Sequence, residues 1–110
     1  AGGTYRNAPR GIAAAWANFD GTGTPVFRDS LNFSSISDNG TGDYTLQFTS
    51  NMASGNYSLT TTGTATYNLF LAAVDQGSIL AGSVRVRAYT SAVTPNDSQL
   101  MFATIHGDLA

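Results

Sequence analysis

Residues 31–49, with the sequence LNFSSISDNGTGDYTLQFT, contain two apolar-patterned segments on either side of a run of turn-forming residues. In the second segment Tyr44, Leu46 and Phe48 alternate with polar residues, which is the period of a strand with one buried and one solvated face. The first segment contributes further apolar side chains, namely Leu31, Phe33 and Ile36. The stretch therefore predicts a β-hairpin.

Residues 38–43, DNGTGD, form the predicted tip of this hairpin. Gly40 and Gly42 can adopt the positive φ angles that a tight reversal needs. The carboxylates of Asp38 and Asp43 also raise the alternative of a calcium site. Calcium takes about six to eight oxygen ligands, and these side chains with Asn39 make an incomplete set. We therefore expect turn chemistry and no tightly bound metal.

The composition points to a single all-β domain. The chain has 110 residues, no cysteine, and only 11% charged residues, with every cation an Arg and every anion an Asp. Because exposed helices usually draw on Lys and Glu, their absence favours strands. A net charge of −2 argues against a nucleic-acid partner. The longest apolar run, residues 69–74, is too short to cross a bilayer, so we expect no membrane insertion.

The alternating pattern predicts further strands along the chain. The turn cluster at residues 20–25 separates the first two, and Gly, Asn and Asp punctuate the others, so we expect an antiparallel β-sandwich. The predicted strands outside the hairpin cover residues 12–19, 26–33, 56–62, 67–74, 83–89 and 100–106. The large side chains expected in the core are Leu31, Phe33, Leu46, Phe48, Val84 and Val86.

Three predicted strand segments are apolar on both faces: residues 12–19, 67–74 and 100–105. This is more apolar surface than one small sandwich with two wet outer faces needs, so we expect another copy of the chain to cover part of it. Small side chains in the first segment would allow close backbone approach, namely Ala13, Ala15 and Ala17; the alternative for Ala15 is a place in the core. We expect Trp16 to be a core or interface aromatic.

The inventory of catalytic groups is small. His106 is the single histidine, and its place in an apolar C-terminal segment favours a packed or rim position. The ingredients of a Ser–His–Asp triad are present, but the chain has no G-x-S-x-G turn. We therefore expect no catalytic residue, no cofactor and no metal, and we expect that the chain is not an enzyme.

Several motifs resemble one known kind of module. They are WANFDGTGT at residues 16–24, SLNFSSISDNGTGDYT at 30–45 and MASGNY at 52–57, with looser matches at 83–90 and 102–107. This pattern resembles the C-terminal module of bacteriophage tail fibres and related virion attachment proteins. The resemblance is dense over the first half of the chain and general in character over residues 63–82.

The resemblance implies a homotrimeric fibre-tip domain on the virion, outside the host cell, attached to the rest of a parent fibre. Residues 1–11 are polar, contain three Gly and one Pro and show no period, so we expect a linker or N-terminal arm there and the β-sandwich over residues 12–110. One implied function is binding of a bacterial surface glycan or protein. The alternative is a structural module that trimerises and caps the fibre without touching the host.

Exposed aromatic and planar polar groups would distinguish these two functions, because sugar rings stack on aromatic faces and sugar hydroxyls bind Arg, Asn and Asp. The outward-facing positions of the predicted strands supply four candidate ligand-binding residues: Tyr67, Arg85, Arg87 and Tyr89. The structural alternative for the two arginines is a solvated strand face that bridges to an Asp.

Overall fold

The computed structural model describes residues 12–64, 70–73, 76–90 and 94–110. These segments contain eight strands and one short 3-10 helix, Gln76–Ser78, and none of them forms an α-helix. No described helix is long and apolar enough to span a membrane. The strands are β1 (Ala15–Asp20), β2 (Val26–Leu31), β3 (Phe33–Gly40), β4 (Asp43–Phe48), β5 (Ser58–Thr64), β6 (Phe70–Ala73), β7 (Ser83–Tyr89) and β8 (Leu100–His106).

The strands form two antiparallel sheets of four. Sheet I has the order β2-β1-β8-β5, and sheet II has the order β3-β4-β7-β6. The hairpin β1–β2 lies in sheet I and the hairpin β3–β4 lies in sheet II. The prediction of an all-β, antiparallel fold is therefore confirmed.

The inner faces of the two sheets share one hydrophobic cluster. Phe19 of sheet I and Tyr44 of sheet II meet edge to face, with ring centroids 5.6 Å apart. Burying a large side chain of this kind contributes about 1.5–3 kcal/mol. Five of the six predicted core residues are buried as expected: Phe33, Leu46, Phe48, Val84 and Val86.

Leu31 is the exception, because the chain changes sheets directly after it. The prediction of one strand over residues 26–33 is wrong: β2 ends at Leu31 and β3 begins at Phe33. Between them Asn32 takes a φ of 61°, and its side chain accepts from the Ser50 backbone N–H (2.7 Å) and donates to the Ser50 carbonyl (3.0 Å). This corner leaves Leu31 on the outer face of sheet I, where it is 47% exposed.

The predicted hairpin is confirmed, but its tip is tighter than residues 38–43. Strand pairing continues to Gly40 and Asp43, so only Thr41 and Gly42 lie in the turn. Gly40 and Gly42 have positive φ angles of 133° and 65°, as expected. A side chain at position 42 would lie 2.6 Å from the carbonyl oxygen of Ala88, so this glycine is needed for space as well as conformation.

The hydroxyl group of Tyr44 joins three segments at this end of the fold. It lies 2.8 Å from the Gly21 carbonyl oxygen and 2.5 Å from the Asp97 carboxylate. The same Asp97 oxygen accepts from the Gly42 backbone N–H at 2.8 Å. Burial, followed by the nearby Asp97, raises the pKa of Tyr44 well above its ordinary value. The hairpin tip is thereby attached to the β1–β2 turn and to the segment before β8.

The first strand is shorter than predicted, and its alanines face the core. Ala15 and Ala17 are buried in the shared core, while Trp16 between them faces outward from sheet I. Of the two positions considered for Ala15, a chain–chain contact or the core, the structure shows the core, and Ala17 lies there too. Their small side chains lie between the two sheets. Ile12 precedes the strand and is 67% exposed.

The remaining predicted strands are found with small shifts. Strand β7 agrees with residues 83–89 and β8 with residues 100–106, whereas β5 begins and ends two residues later than residues 56–62. Strand β6 covers the described part of residues 67–74. The predicted arm, residues 1–11, lies outside the described residues.

Candidate functional site

Three of the four candidate ligand-binding residues lie together on the outer face of β7. This strand alternates strictly, so Val84 and Val86 enter the core while Arg85, Arg87 and Tyr89 point away from it. The fourth candidate, Tyr67, lies outside the described residues.

The two arginines meet a buried carboxylate on the neighbouring strand. Asp43 is directly opposite Arg87 in the β4–β7 register and is only 5% exposed. Arg85 binds it in bidentate fashion, from Nε to Oδ1 at 2.8 Å and from Nη2 to Oδ2 at 2.5 Å. The expected structural role of this arginine, bridging from a strand face to an Asp, is thus confirmed.

These contacts keep Asp43 ionised. The hydrogen bonds from Arg85 lower the pKa of the Asp43 carboxyl below its ordinary value, and burial opposes them. A hydrogen bond from Asn39 (3.4 Å) and the charges of both arginines lower the same pKa further. A buried anion therefore holds two cations at the surface of sheet II.

Arg87 is held more loosely than Arg85. Its Nε lies 3.6 Å from Asp43 Oδ2, which is an ion-pair distance and longer than a hydrogen bond. Its guanidinium carbon lies over the ring of Tyr89, 5.8 Å from the centroid. The Arg87 side chain is 37% exposed, so its guanidinium group is oriented by neighbours and still reaches solvent.

The adjoining hairpin extends the polar surface. Asn39 donates to the Thr45 hydroxyl at 2.8 Å, and Gln47 hydrogen-bonds Ser35 and, at 3.4 Å, Ser37. Together these groups cover the outer face of β3 and β4 with satisfied polar side chains. We use the name arginine face for its charged part, formed by Asn39, Asp43, Thr45, Arg85, Arg87 and Tyr89.

The outer face of sheet I has a different chemistry. Trp16 lies opposite Leu31 on one side and Thr104 on the other, and Asn18 lies opposite Asp29 and Phe102. The buried Asn18 Oδ1 finds no hydrogen-bond donor among the described residues. We use the name aromatic face for this surface, formed by Trp16, Asn18, Leu31, Phe102 and Thr104.

Sequence reasoning missed the role of Asp43, which it placed in the hairpin tip. A signal was present, because Asp43 has the same strand parity as Thr45 and Gln47 and so belongs to the solvated face. The alternation could not show that β7 would pair with β4 and bring its arginines alongside. Because of that pairing, Asp43 lies at the centre of a charged cluster.

Residues of the motifs that carry the resemblance make structural contacts within the fold. Asp20 accepts from the Thr22 backbone N–H at 2.9 Å, which closes the β1–β2 turn. A side chain at Gly21 would lie 2.5 Å from the Tyr44 hydroxyl oxygen. Asn32 forms the corner between sheets and Asn39 braces β4. These motif residues are explained by structure, without a ligand.

The described residues contain no cluster of three or more metal-ligating side chains. The absence of bound metal at the hairpin tip stays a prediction. His106 lies at the end of β8, opposite Ser58, and is partly buried.

No protein-family model matches the chain, and comparison with curated proteins and with solved structures finds no significant similarity.

Proposed function

We propose that this chain is the distal receptor-binding domain of a phage tail fibre or a related virion fibre. On this proposal it lies at the outer end of the virion fibre, binds a glycan on the bacterial surface, and performs no catalysis. The observation that carries the proposal is the arginine face. There a buried Asp43 orients Arg85 and Arg87, and Tyr89 lies beside them on the same strand. Aromatic rings and planar charged groups on one rigid surface suit the two kinds of contact that a sugar makes.

The shared core of the two sheets supports the finer description of the fold as a β-sandwich. We propose that three such sandwiches associate through the aromatic face. Partly buried Trp16 lies opposite exposed Leu31, and partly buried Phe102 lies on the next strand of the same surface, which is the composition of a contact between chains. Three identical sites on one trimer would raise the avidity for a host surface by roughly 10²–10⁴ over a single site.

Glycan binding is tested on the purified oligomer with a glycan array. Replacing Tyr89 by Ala should weaken a positive signal by roughly tenfold, because an aromatic–sugar contact of about 1.4 kcal/mol is lost. The control is Thr24→Ala, an exposed polar position in the β1–β2 turn that belongs to neither the arginine face nor the aromatic face. Equal signals from both variants would show that the arginine face does not bind the glycan.

Arg85 is unsuited to this test. Reversing its charge would place a second carboxylate beside buried Asp43 and would disturb folding together with binding.

The second candidate is a structural module that trimerises and caps the fibre without contacting the host. The observation that favours it is that three motif residues, Gly21, Asn32 and Asn39, each have a structural role within the chain. A trimer by light scattering that binds no glycan and no host cell would support this candidate over the first. A trimer that binds a glycan through Tyr89 would support the first.

A further inference from the structure

We infer that the arginine face selects acidic glycans, whose carboxylate or phosphate group is bound by the guanidinium group of Arg87. The inference rests on the proposed function, because it names the ligand class of the same face.

The two arginines contact Asp43 in different ways. Arg85 directs Nε and Nη2 at the two oxygens of Asp43, which uses one side of its planar fork. Arg87 directs only Nε toward that carboxylate, at 3.6 Å. The terminal amino groups of Arg87 make no hydrogen bond with any of the described residues. They are the donors that a second anion would meet.

Neighbouring side chains fix the orientation of Arg87. Its guanidinium group lies over the Tyr89 ring and beside Asp43, so two neighbours limit its rotation while 37% of the side chain stays exposed. An Arg side chain held in this way loses less conformational entropy when it binds an anion. Arg87 is therefore preorganised for a planar carboxylate or a phosphate.

The arginine face has a local excess of positive charge. The chain has a formal net charge of −2, but Arg85 and Arg87 contribute two positive charges here against the one negative charge of Asp43. A neutral glycan would gain nothing from this excess. An acidic glycan would be attracted to it, and the attraction would weaken as salt is added.

Isothermal titration calorimetry on the intact chain tests the inference with three probes. They are an alginate oligosaccharide, which carries carboxylates, an oligo(glycerol phosphate), which carries phosphates, and a carboxyl-reduced alginate, which is neutral. We expect binding of at least one acidic probe and none of the neutral one. Arg87→Gln should weaken that binding roughly 10- to 100-fold, as expected for the loss of a charge-assisted hydrogen bond.

The matched control is Arg28→Gln. Arg28 is also a partly exposed strand arginine near an Asp, but it lies in sheet I, where it donates to the Gln99 carbonyl oxygen at 2.9 Å. This change removes the same charge from the chain, so it should leave the affinity within about twofold if Arg87 acts by contact. Arg87→Lys should fall between wild type and Arg87→Gln, because it keeps the charge and loses the fork.

Each other outcome overturns the inference in a distinct way. Equal affinity for alginate and its neutral form would refute the acidic class and leave glycan binding intact. An equal loss in Arg28→Gln and Arg87→Gln would show a general charge effect without a site at Arg87. Binding of neutral array glycans alone would refute the inference and keep the proposed function, whereas no binding to any probe or array glycan would count against both.

Discussion

The outer faces of the two sheets are built from central strands of matching length, yet they differ in chemistry. Each face uses a six-residue and a seven-residue strand at its centre, β1 with β8 and β4 with β7. The arginine face surrounds a buried carboxylate with satisfied hydrogen bonds and ion pairs. The aromatic face exposes Leu31 beside Trp16, and the buried amide oxygen of Asn18 has no hydrogen-bond donor in the part of the chain that the structure describes.

This difference indicates that the two faces suit different partners, a ligand in one case and another chain in the other. A polar network that is already satisfied is stable in water and can add a ligand at its edge. An apolar surface gains from being covered, because removing it from water contributes about 25 cal/mol per Å². We therefore assign ligand contact to sheet II and chain–chain contact to sheet I in the proposals above.

The largest effect is expected for the pair of changes Trp16→Ser and Phe102→Ser on the aromatic face. Loss of two interface aromatics at about 2 kcal/mol each should convert the proposed trimer into a monomer. Multi-angle light scattering should then give the 11.5 kDa of one chain. The matched pair Gln47→Ser and Tyr89→Ser, on the outer face of sheet II, should keep the mass unchanged. A trimer that persists after the first pair would remove the aromatic face from the interface.

A smaller effect is expected for Arg85→Gln. This change removes both hydrogen bonds that Arg85 donates to buried Asp43, so unfolding should become easier by about 1.5–3 kcal/mol, with the lower end favoured because Arg85 is partly exposed. Urea denaturation measures the change. Adding Asp43→Asn should recover part of the loss, because the buried charge is then absent. A double variant no more stable than Arg85→Gln would argue against the pair as the cause.

The pH dependence of stability should show the same ion pair. Because the pKa of Asp43 is lower in the folded protein than in the unfolded chain, the unfolded chain binds the proton first as the pH falls. The contribution of Asp43 is complete above its ordinary pKa of 3.8 and is lost as the pH falls below that value, toward the lowered folded pKa. Melting temperatures between pH 6 and pH 2 should therefore fall less in Asp43→Asn than in wild type. Parallel curves would show that other carboxyl groups cause the acid loss.

The smallest effect on stability is expected for Arg87→Gln. The 3.6 Å contact with Asp43 and the exposure of the side chain place it among surface ion pairs, which contribute about 0–1 kcal/mol. Urea denaturation should give a change within that range, well below that of Arg85→Gln. A loss as large as that of Arg85→Gln would make Arg87 a structural residue and would weaken its assignment to a ligand.

Much of the candidate site could be predicted from the alternation in single strands. The pattern of residues 83–89 placed Arg85, Arg87 and Tyr89 on one outward face, and β7 has that orientation. The pattern could not supply Asp43, because the contact joins residues 42 positions apart in the chain. For the same reason, nothing local indicated which aromatic residues outside the core would share the face of Trp16.

The corner at Asn32 shows a second limit. Residues 26–33 keep the alternation of one strand, and Leu31 has the parity of Phe27 and Phe33. A positive φ at a residue other than glycine is unfavourable in itself, and here the Ser50 backbone compensates through two hydrogen bonds with Asn32. Since the compensation comes from another part of the chain, the strand pattern alone gives no sign of the break.

The sequence by itself determined the β-class of the fold, the inward and outward residues of β4 and β7, and the glycines of the hairpin turn, because side-chain alternation and φ preferences are properties of the local backbone. The tertiary structure alone decided which strands pair, where the chain crosses between sheets, and how Asp97 joins Tyr44 to Gly42. These features depend on contacts between distant residues, whose free energy is gained only when both sheets close over the same core.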